Sequence, residues 1–143
     1  MSDFQLVHEC AMPIRWGDMD AFGHVNNTNF FRYMEQARIE WLESLALASV
    51  GEAGTGPVIV NANMTFLKQL QYPGDVVCHT FAGLPGRSSL ETRFELRRAD
   101  DAATLVAHGS AKLVWVDYAS GRSTPMPEPL RARVAGGISE QSE

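Results

Sequence analysis

Residues 15–29 read RWGDMDAFGHVNNTN, and a segment with helical apolar periodicity follows them directly. The stretch brings two carboxylates, one imidazole and three amides into a loop that contains glycine. A carboxylate beside the amino end of a helix can attack an activated carbonyl or deprotonate a water that does so. The free N–H groups and partial positive charge of that helix end can stabilise the oxyanion that forms. The stretch therefore predicts the start of the main helix and a candidate catalytic site.

The helix itself is predicted from its apolar periodicity. Asn26 and Asn27 are suitable N-caps, because their side-chain oxygens can accept hydrogen bonds from the first free N–H groups. The apolar face consists of Phe30, Met34, Ala37, Trp41 and Leu45, widened by Phe31, Arg38 and Leu42. This spacing predicts a helix of roughly 20 residues, or about 30 Å. The glycines at 51, 54 and 56 are expected to end it in a loop.

Most of the remaining chain alternates with a period of two, which is typical of strands. A first strand is expected between Phe4 and Ile14, close to a sheet edge. After Pro57, the residues predicted to share one face of a strand are Val58, Val60, Ala62, Met64 and Phe66. The inward-facing residues of a later strand are Leu90, Thr92, Phe94 and Leu96. Further strands are expected over 76–81 and 105–116, and a short helix over 128–134.

This order of elements predicts an α+β fold in one domain over residues 1–135, followed by a polar, disordered tail over 136–143. One helix covers only part of a curled sheet of about five antiparallel strands, and both sheet edges stay open. Pairing with a second copy would cover an edge, so a homodimer or a homotetramer is expected.

Composition narrows the choice of partner and compartment. The formal net charge of −5 argues against a nucleic-acid partner. The chain shows neither the apolar core of a signal peptide nor an apolar run of membrane-spanning length, so a cytoplasmic protein without membrane contact is expected. Cys10 and Cys78 lie far apart and are expected to be free thiols. His8, His79 and His108 show no metal-ligand spacing, so no metal is expected.

Three segments resemble the hotdog-fold acyl-CoA thioesterases of the 4-hydroxybenzoyl-CoA thioesterase type. They are WGDMDAFGHVNNTNFFRYMEQAR over 16–38, FLKQLQYPGD over 66–75, and LVWVD over 113–117 with Gly121 and Arg122 after it. The loop is also similar to that of plant acyl-carrier-protein thioesterases, which share the fold. The resemblance implies a long central helix wrapped by a curved antiparallel sheet, and an enzyme that hydrolyses an acyl-CoA to a carboxylic acid and free coenzyme A.

The resemblance also implies three catalytic residues. Asp20 matches the catalytic carboxylate, which acts as a nucleophile or as a general base toward water. Asn27 matches the residue at the helix start whose backbone N–H polarises the thioester carbonyl. His24 matches a catalytic His of the carrier-protein enzymes, whereas the 4-hydroxybenzoyl type has an apolar residue there. Phe22 stands where the carrier-protein enzymes have an Asn, so their full triad is absent.

Each candidate also has a structural interpretation. Asp20 could simply bind neighbouring amides and tighten the turn, and Asp18 is expected to organise the loop in that way. Asn26 and Asn29 are expected to be structural. Candidates for binding the phosphates of coenzyme A, across a dimer interface, are Lys68, Arg87 and Lys112, although each also fits a solvated surface residue. No cofactor is expected, because coenzyme A is part of the substrate and a carboxylate with dipoles suffices for the reaction.

Two other functions fit the same pattern. A hotdog hydratase or dehydratase also places Asp and His near a central helix, although its signature usually carries an Asn-Pro that this loop lacks. A non-catalytic binder of acyl thioesters is the other alternative. Acyl length, aromatic or aliphatic preference, and coenzyme A or carrier protein as the thiol stay open at this point.

Overall fold

The computed structural model describes residues 3–49 and 54–136. The strands are β1 (Gln5–Pro13), β2 (Thr55–Phe66), β3 (Asp75–Ala82), β4 (Ser89–Arg98), β5 (Ala107–Asp117) and β6 (Arg122–Ser123). The helices are α1 (Asn27–Ser44) and α2 (Glu128–Gly136), and a single 3-10 turn covers Trp16–Asp18. The predicted order of a strand, a helix and further strands joined by turns is confirmed.

The strands form one antiparallel sheet in the order β1-β3-β4-β5-β2, and β6 pairs with the end of β5. Strand β1 lies at one edge, as predicted, and β2 lies at the other. Because β2 pairs only with β5, its second row of backbone groups has no partner in the described part of the chain.

Strand β4 shows why the alternating pattern folds as it does. Its inward-facing residues are almost fully buried, as predicted: Leu90, Thr92, Phe94 and Leu96. The hydroxyl of Thr92 is satisfied by donating to the carbonyl oxygen of Ala111 at 2.7 Å. One polar residue can therefore stay in this face, because its hydrogen bond offsets the loss of water.

The predicted phase of β2 is wrong in its first half. A β-bulge between Ile59 and Asn61 inserts Val60 into the ladder and shifts the register with β5. Opposite residues share a face, so Ile59 lies on the side of buried Leu113, whereas Val58 lies on the outer side with Val114. Beyond the bulge Ala62, Met64 and Phe66 share one face, as expected. An apolar run of three residues hides such a shift, because either phase of alternation fits it.

Helix α1 contains 18 residues rather than roughly 20. It ends at Ser44, ahead of the predicted glycines, and Ala46 adopts a positive φ of 60° just after it. The side chain of Asn26 accepts from the N–H of Thr28 at 2.9 Å, so Asn26 is the N-cap and Asn27 is the first helical residue.

The buried face of α1 consists of Phe30, Tyr33, Met34, Ala37, Trp41 and Leu42. Its amino-terminal half joins an apolar cluster with β1, β3, β4 and β5. Its carboxyl-terminal half joins a second cluster with α2, in which Trp41 packs near Leu130 and Val134. The short second helix, predicted over 128–134, is confirmed with an end at Gly136.

Within the described ranges, no helix is long and apolar enough to cross a membrane. Gly136, the first residue of the disordered tail predicted over 136–143, is the last residue of α2, and the other residues of that tail lie outside the described ones. The proposed boundary of the domain at residue 135 therefore stays a prediction.

Candidate active site

The loop before α1 is a small hairpin that closes on itself. Met19 and Val25 form an isolated antiparallel bridge, and the N–H of Asp20 donates to the carbonyl oxygen of His24 at 3.1 Å. The N–H of Gly23 donates to the carbonyl oxygen of Asp20 at 2.9 Å. Gly23 has a φ of +83°, which glycine adopts without strain. Asp at the first and Gly at the fourth position are typical of such a turn.

Both oxygens of the Asp20 carboxylate accept hydrogen bonds from this loop. Oδ1 accepts from the N–H of Phe22 at 2.9 Å, and Oδ2 accepts from Nδ2 of Asn26 at 2.9 Å. These two bonds, that with Asn26 first, lower the pKa of Asp20 below its ordinary value. The group is exposed and ionised at neutral pH, and its geometry is fixed by residues only two and six positions away.

The start of α1 differs in one respect from the expectation. The cap is Asn26, which also accepts from the hydroxyl of Thr28 at 2.7 Å, and not Asn27. The N–H groups of Thr28 and Asn29 both donate to Asn26, whereas that of Asn27 has no acceptor among the described residues. The first helical N–H is thus available to a ligand.

Asp18 organises the loop through hydrogen bonds, as predicted. Its Oδ2 accepts from the hydroxyl of Tyr33 at 2.8 Å and from the N–H of Arg15 at 2.9 Å. Its carbonyl oxygen accepts from the N–H of Asn26 at 3.0 Å and from Nδ2 of Asn29 at 2.7 Å. Asp18 therefore ties the hairpin to the first two turns of α1, and Oδ2 of its carboxylate accepts two hydrogen bonds.

A cavity of about 340 Å³ lies between the hairpin, the start of α1 and the end of β2. Its lining residues are Asp20, Phe22, His24, Val25, Asn26, Asn27, Phe30, Phe66, Lys68 and Gln69. The three predicted catalytic residues and Lys68 therefore share one space. Phe30 and Phe66 form an apolar wall, with edge-to-face rings whose centroids are 5.1 Å apart.

The other two predicted phosphate ligands lie elsewhere in this chain. Arg87 is exposed in the β3–β4 connection, where its carbonyl oxygen accepts from Arg131. Lys112 is in β5, opposite Glu91 of β4 and Asn61 of β2, on the face that points away from α1. Neither residue lines the cavity of Asp20, so a role for them at this site depends on a second copy of the chain.

Two contributions to the site were missed at the sequence level. Asn26 was expected to be structural only, yet it both caps α1 and holds Asp20. The segment before β3 supports the loop from outside, since the carbonyl oxygen of Leu70 accepts from Val25 at 2.8 Å and Gln71 donates to Gly23 at 3.3 Å. Its only signal in the sequence was its place in the FLKQLQYPGD segment of the resemblance.

The chain is similar to known proteins in sequence and in fold. The family model of the thioesterase-like superfamily matches residues 14–134. A chloroplastic acyl-acyl carrier protein thioesterase from Arabidopsis thaliana is 30% identical over 137 residues, which are 93% of this chain and 68% of the plant protein.

Solved structures show the same architecture. The PA2801 protein from Pseudomonas aeruginosa, provisionally assigned as a thioesterase, has a TM-score of 0.87 and 44% identity over 91% of this chain and 99% of its own. Slr0204, a 1,4-dihydroxy-2-naphthoyl-CoA thioesterase from Synechocystis, has a TM-score of 0.80 over 92% of this chain and 96% of its own. At 17% identity, the latter likeness shows the fold alone.

The chain therefore belongs to the thioesterase-like superfamily, a hotdog-type family, and is a thioester hydrolase. The family and the enzyme class expected from the sequence are confirmed. The antiparallel sheet and the two helices agree with that fold.

Proposed function

We propose that this protein hydrolyses acyl-CoA thioesters to a carboxylic acid and free coenzyme A, with Asp20 as the reacting carboxylate and without a metal. The observation that carries the proposal is the shared cavity of Asp20 and the free N–H of Asn27. A thioester carbonyl in this space would meet a donor on its oxygen and an ionised carboxylate near its carbon. The apolar wall of Phe30 and Phe66 would hold part of the acyl group.

The bond changes follow one of two routes. In the first, Asp20 attacks the carbonyl carbon, the C–S bond breaks, the thiolate leaves and takes a proton, and water hydrolyses the resulting anhydride. In the second, Asp20 takes a proton from a water that attacks the same carbon. The lowered pKa of Asp20 keeps the carboxylate ionised, which both routes require.

Uptake of the isotope from labelled water into Asp20 would identify the first route, whereas label in the product acid alone fits either route, since water can also attack the acyl carbon of the anhydride. In a single turnover with enzyme in excess, water that attacks the carboxyl carbon of Asp20 in the anhydride leaves the isotope in the protein. Water activated by a general base places it in the product acid alone. Mass spectrometry of the peptide that contains residue 20 reads the outcome.

His24 is proposed to orient the loop and to protonate the leaving thiolate. Its carbonyl oxygen holds the N–H of Asp20, and its imidazole lines the same cavity. A His is suited to this role because its ordinary pKa lies near neutrality. Lys68, on the rim next to Phe66, is proposed to bind a phosphate of coenzyme A, while Arg87 and Lys112 would act from a partner subunit.

A dimer through β2 is part of the proposal, with α1 as the central helix of the hotdog arrangement. The open strand carries exposed apolar side chains, among them Val58, Ile59 and Val60. Such an edge invites pairing with a second copy. Val60→Lys would place a charge at this edge and is expected to shift the protein toward monomer in light scattering, whereas the exposed Leu84→Lys would leave its mass unchanged.

The test of the activity is release of free thiol from a panel of acyl-CoAs by wild type, Asp20→Asn and the control Asp101→Asn. We expect Asp20→Asn to lose roughly 10²–10⁴-fold in turnover while it keeps its fold by circular dichroism. Asp101 is exposed in a turn and does not line the cavity of Asp20, so its variant should resemble wild type. Wild-type turnover in Asp20→Asn would overturn the assignment of Asp20.

The same panel addresses the alternatives. Hydration of an enoyl-CoA without thiol release would indicate a hydratase. Tight binding of acyl-CoA without turnover would indicate a binding protein. Faster thiol release from acyl-acyl carrier protein than from acyl-CoA would support a thioester hydrolase whose substrate carries acyl carrier protein instead of coenzyme A.

A further inference from the structure

A second group of reactive side chains lies between β1 and the carboxyl-terminal half of α1. His8 and Cys10 come from β1, and Glu40 comes from α1. One potential ligand atom from each, a ring nitrogen, the sulfur and a carboxylate oxygen, lies within 4.8 Å of the other two. Glu40 is more than three helical turns from Asn27, so this cluster is separate from the cavity of Asp20.

Local backbone geometry explains why the three side chains converge. The register of β1 with β3 shifts between Leu6 and His8, which marks a β-bulge. Beyond it, His8 and Cys10 are two positions apart and share the face of the sheet that supports α1. The bulge thus places a histidine on the largely apolar face of the sheet that packs against α1.

The polar atoms of this cluster are only partly satisfied by the protein. The Nε2 atom of His8 is buried and has no hydrogen-bond partner among the described residues. The thiol of Cys10 hydrogen-bonds to Glu40, and burial, followed by Glu40, raises its pKa to about 12. Gln36 donates to Oε2 of Glu40 at 3.2 Å and so orients the carboxylate. A buried imidazole nitrogen without a partner is unfavourable unless something binds it.

We propose that His8, Cys10 and Glu40 bind a zinc ion that links β1 to α1. Imidazole, thiolate and carboxylate are the three side-chain ligands that Zn²⁺ uses in proteins. Binding displaces the thiol proton, so the thiolate and the carboxylate together neutralise the two charges of the ion. Gln36 then holds the carboxylate from outside, as supporting groups do at metal sites.

Zinc binding requires only a small inward movement of the three side chains. Ligand atoms about 2.0–2.3 Å from a tetrahedral zinc lie roughly 3.3–3.8 Å apart, so the side chains would move inward by about 1 Å. A water can supply the fourth ligand, because Glu40 and Gln36 also line a polar cavity of about 360 Å³ that opens beside Ala11. The ion would be structural, since it ties a strand to a helix away from the cavity of Asp20.

The charges around the three side chains allow a further test of zinc binding. Arg133 of α2 is close enough to lower the pKa of His8, although burial is the larger cause and Glu40 acts in the opposite direction. The same positive charge opposes a bound cation. Arg133→Gln should therefore tighten zinc binding at this cluster, whereas zinc bound at another site on the surface would not respond to the substitution.

The experiment uses the untagged chain of 143 residues, stripped of metal and titrated with Co²⁺ and then Zn²⁺. We expect one ion per chain, a thiolate-to-cobalt charge-transfer absorption that Zn²⁺ abolishes, and a rise in Tm of roughly 5–10 °C at a hundredfold excess over Kd. Cys10→Ala should abolish the charge-transfer absorption, and the matched control Cys78→Ala should keep it.

Two further variants test whether misfolding, rather than the loss of a ligand, explains weaker metal binding. Glu40→Gln keeps the size of the side chain and should weaken zinc binding by at least about tenfold. His108→Asn removes an exposed histidine of β5 and should bind zinc like wild type. The proposal is overturned if wild type binds no ion, if Cys78→Ala rather than Cys10→Ala loses the absorption, or if Glu40→Gln binds as tightly as wild type. Thioester hydrolysis can persist in any of these outcomes, so failure here leaves the proposed reaction intact.

Discussion

The amino end of α1 is fixed by hydrogen bonds in an exposed loop, whereas its carboxyl-terminal half is fixed by apolar packing. Trp16 and Phe22, in the loop, are 73% and 87% exposed, and the loop is ordered by Asp18, Asp20 and Asn26. Trp41, in the other half, is fully buried with α2 against it. The difference separates two tasks between the helix and the loop before it, because the buried face of α1 supplies stability and leaves the loop available to the proposed substrate.

The largest expected effect tests this separation with two matched tryptophans. Trp41→Ala should lower the free energy of unfolding by about 3–5 kcal/mol, because it leaves a large cavity among buried residues. Trp16→Ala should lower it by less than about 0.5 kcal/mol, since its side chain is already in solvent. Urea unfolding of both variants gives the two values, and equal losses would contradict the division of tasks between the loop and α1.

The second effect concerns the junction of the two regions at Asp18. Asp18→Ala leaves the half-buried hydroxyl of Tyr33 and the N–H of Arg15 without their acceptor, and should destabilise the protein by about 1–3 kcal/mol. Tyr33→Phe removes one partner and should cost less. Combining the two variants measures their coupling by the same unfolding experiment. Full additivity would mean that the Tyr33 hydroxyl and the Asp18 carboxylate do not stabilise each other.

The smallest effect on stability is expected at Asn26, where chemistry should change instead. Asn26→Ser keeps a good N-cap, so unfolding should change by less than about 0.5 kcal/mol. It removes the bond that lowers the pKa of Asp20, so that pKa rises. Because the carboxylate is the form proposed to react, the acid limb of kcat/KM should move to higher pH.

Asn26→Asp sharpens that prediction. It also keeps a cap, but it puts a second negative charge beside Asp20, which raises the pKa of Asp20 further. The acid limb should therefore lie at a higher pH than in Asn26→Ser. Identical pH profiles for wild type and both variants would show that Asp20 does not set the acid limb.

How far the sequence predicts the molecule depends on the range of the interactions. Local patterns suffice for the faces of β4, the start of α1 and the second helix, because propensity, capping and burial agree there. The bulge at Val60 could not be predicted, since Val58, Ile59 and Val60 are all apolar. Their sequence therefore does not show which of them face inward. The early end of α1 at Ser44 was missed because its apolar spacing continues to Leu45.

The site divides in the same way. The meeting of Asp20, His24 and Asn27 in one cavity was predictable from a contiguous stretch and a resemblance. The bond from Asn26 to Asp20 required the hairpin geometry, which places residues six positions apart in contact. The approach of Glu40 to His8 and Cys10 joins residues thirty or more positions apart, and no spacing rule reveals it.

The turn that holds Asp20 has one further consequence. In the described part of the chain, the hydrogen bonds to its carboxylate from other residues come from Phe22 and Asn26, so the carboxylate proposed to react is oriented by a short stretch of the loop. The cavity wall opposite, including Phe66, belongs to a different strand. If Asp20 reacts as proposed, replacements in that strand would change the shape of the acyl site and leave the orientation of the carboxylate intact.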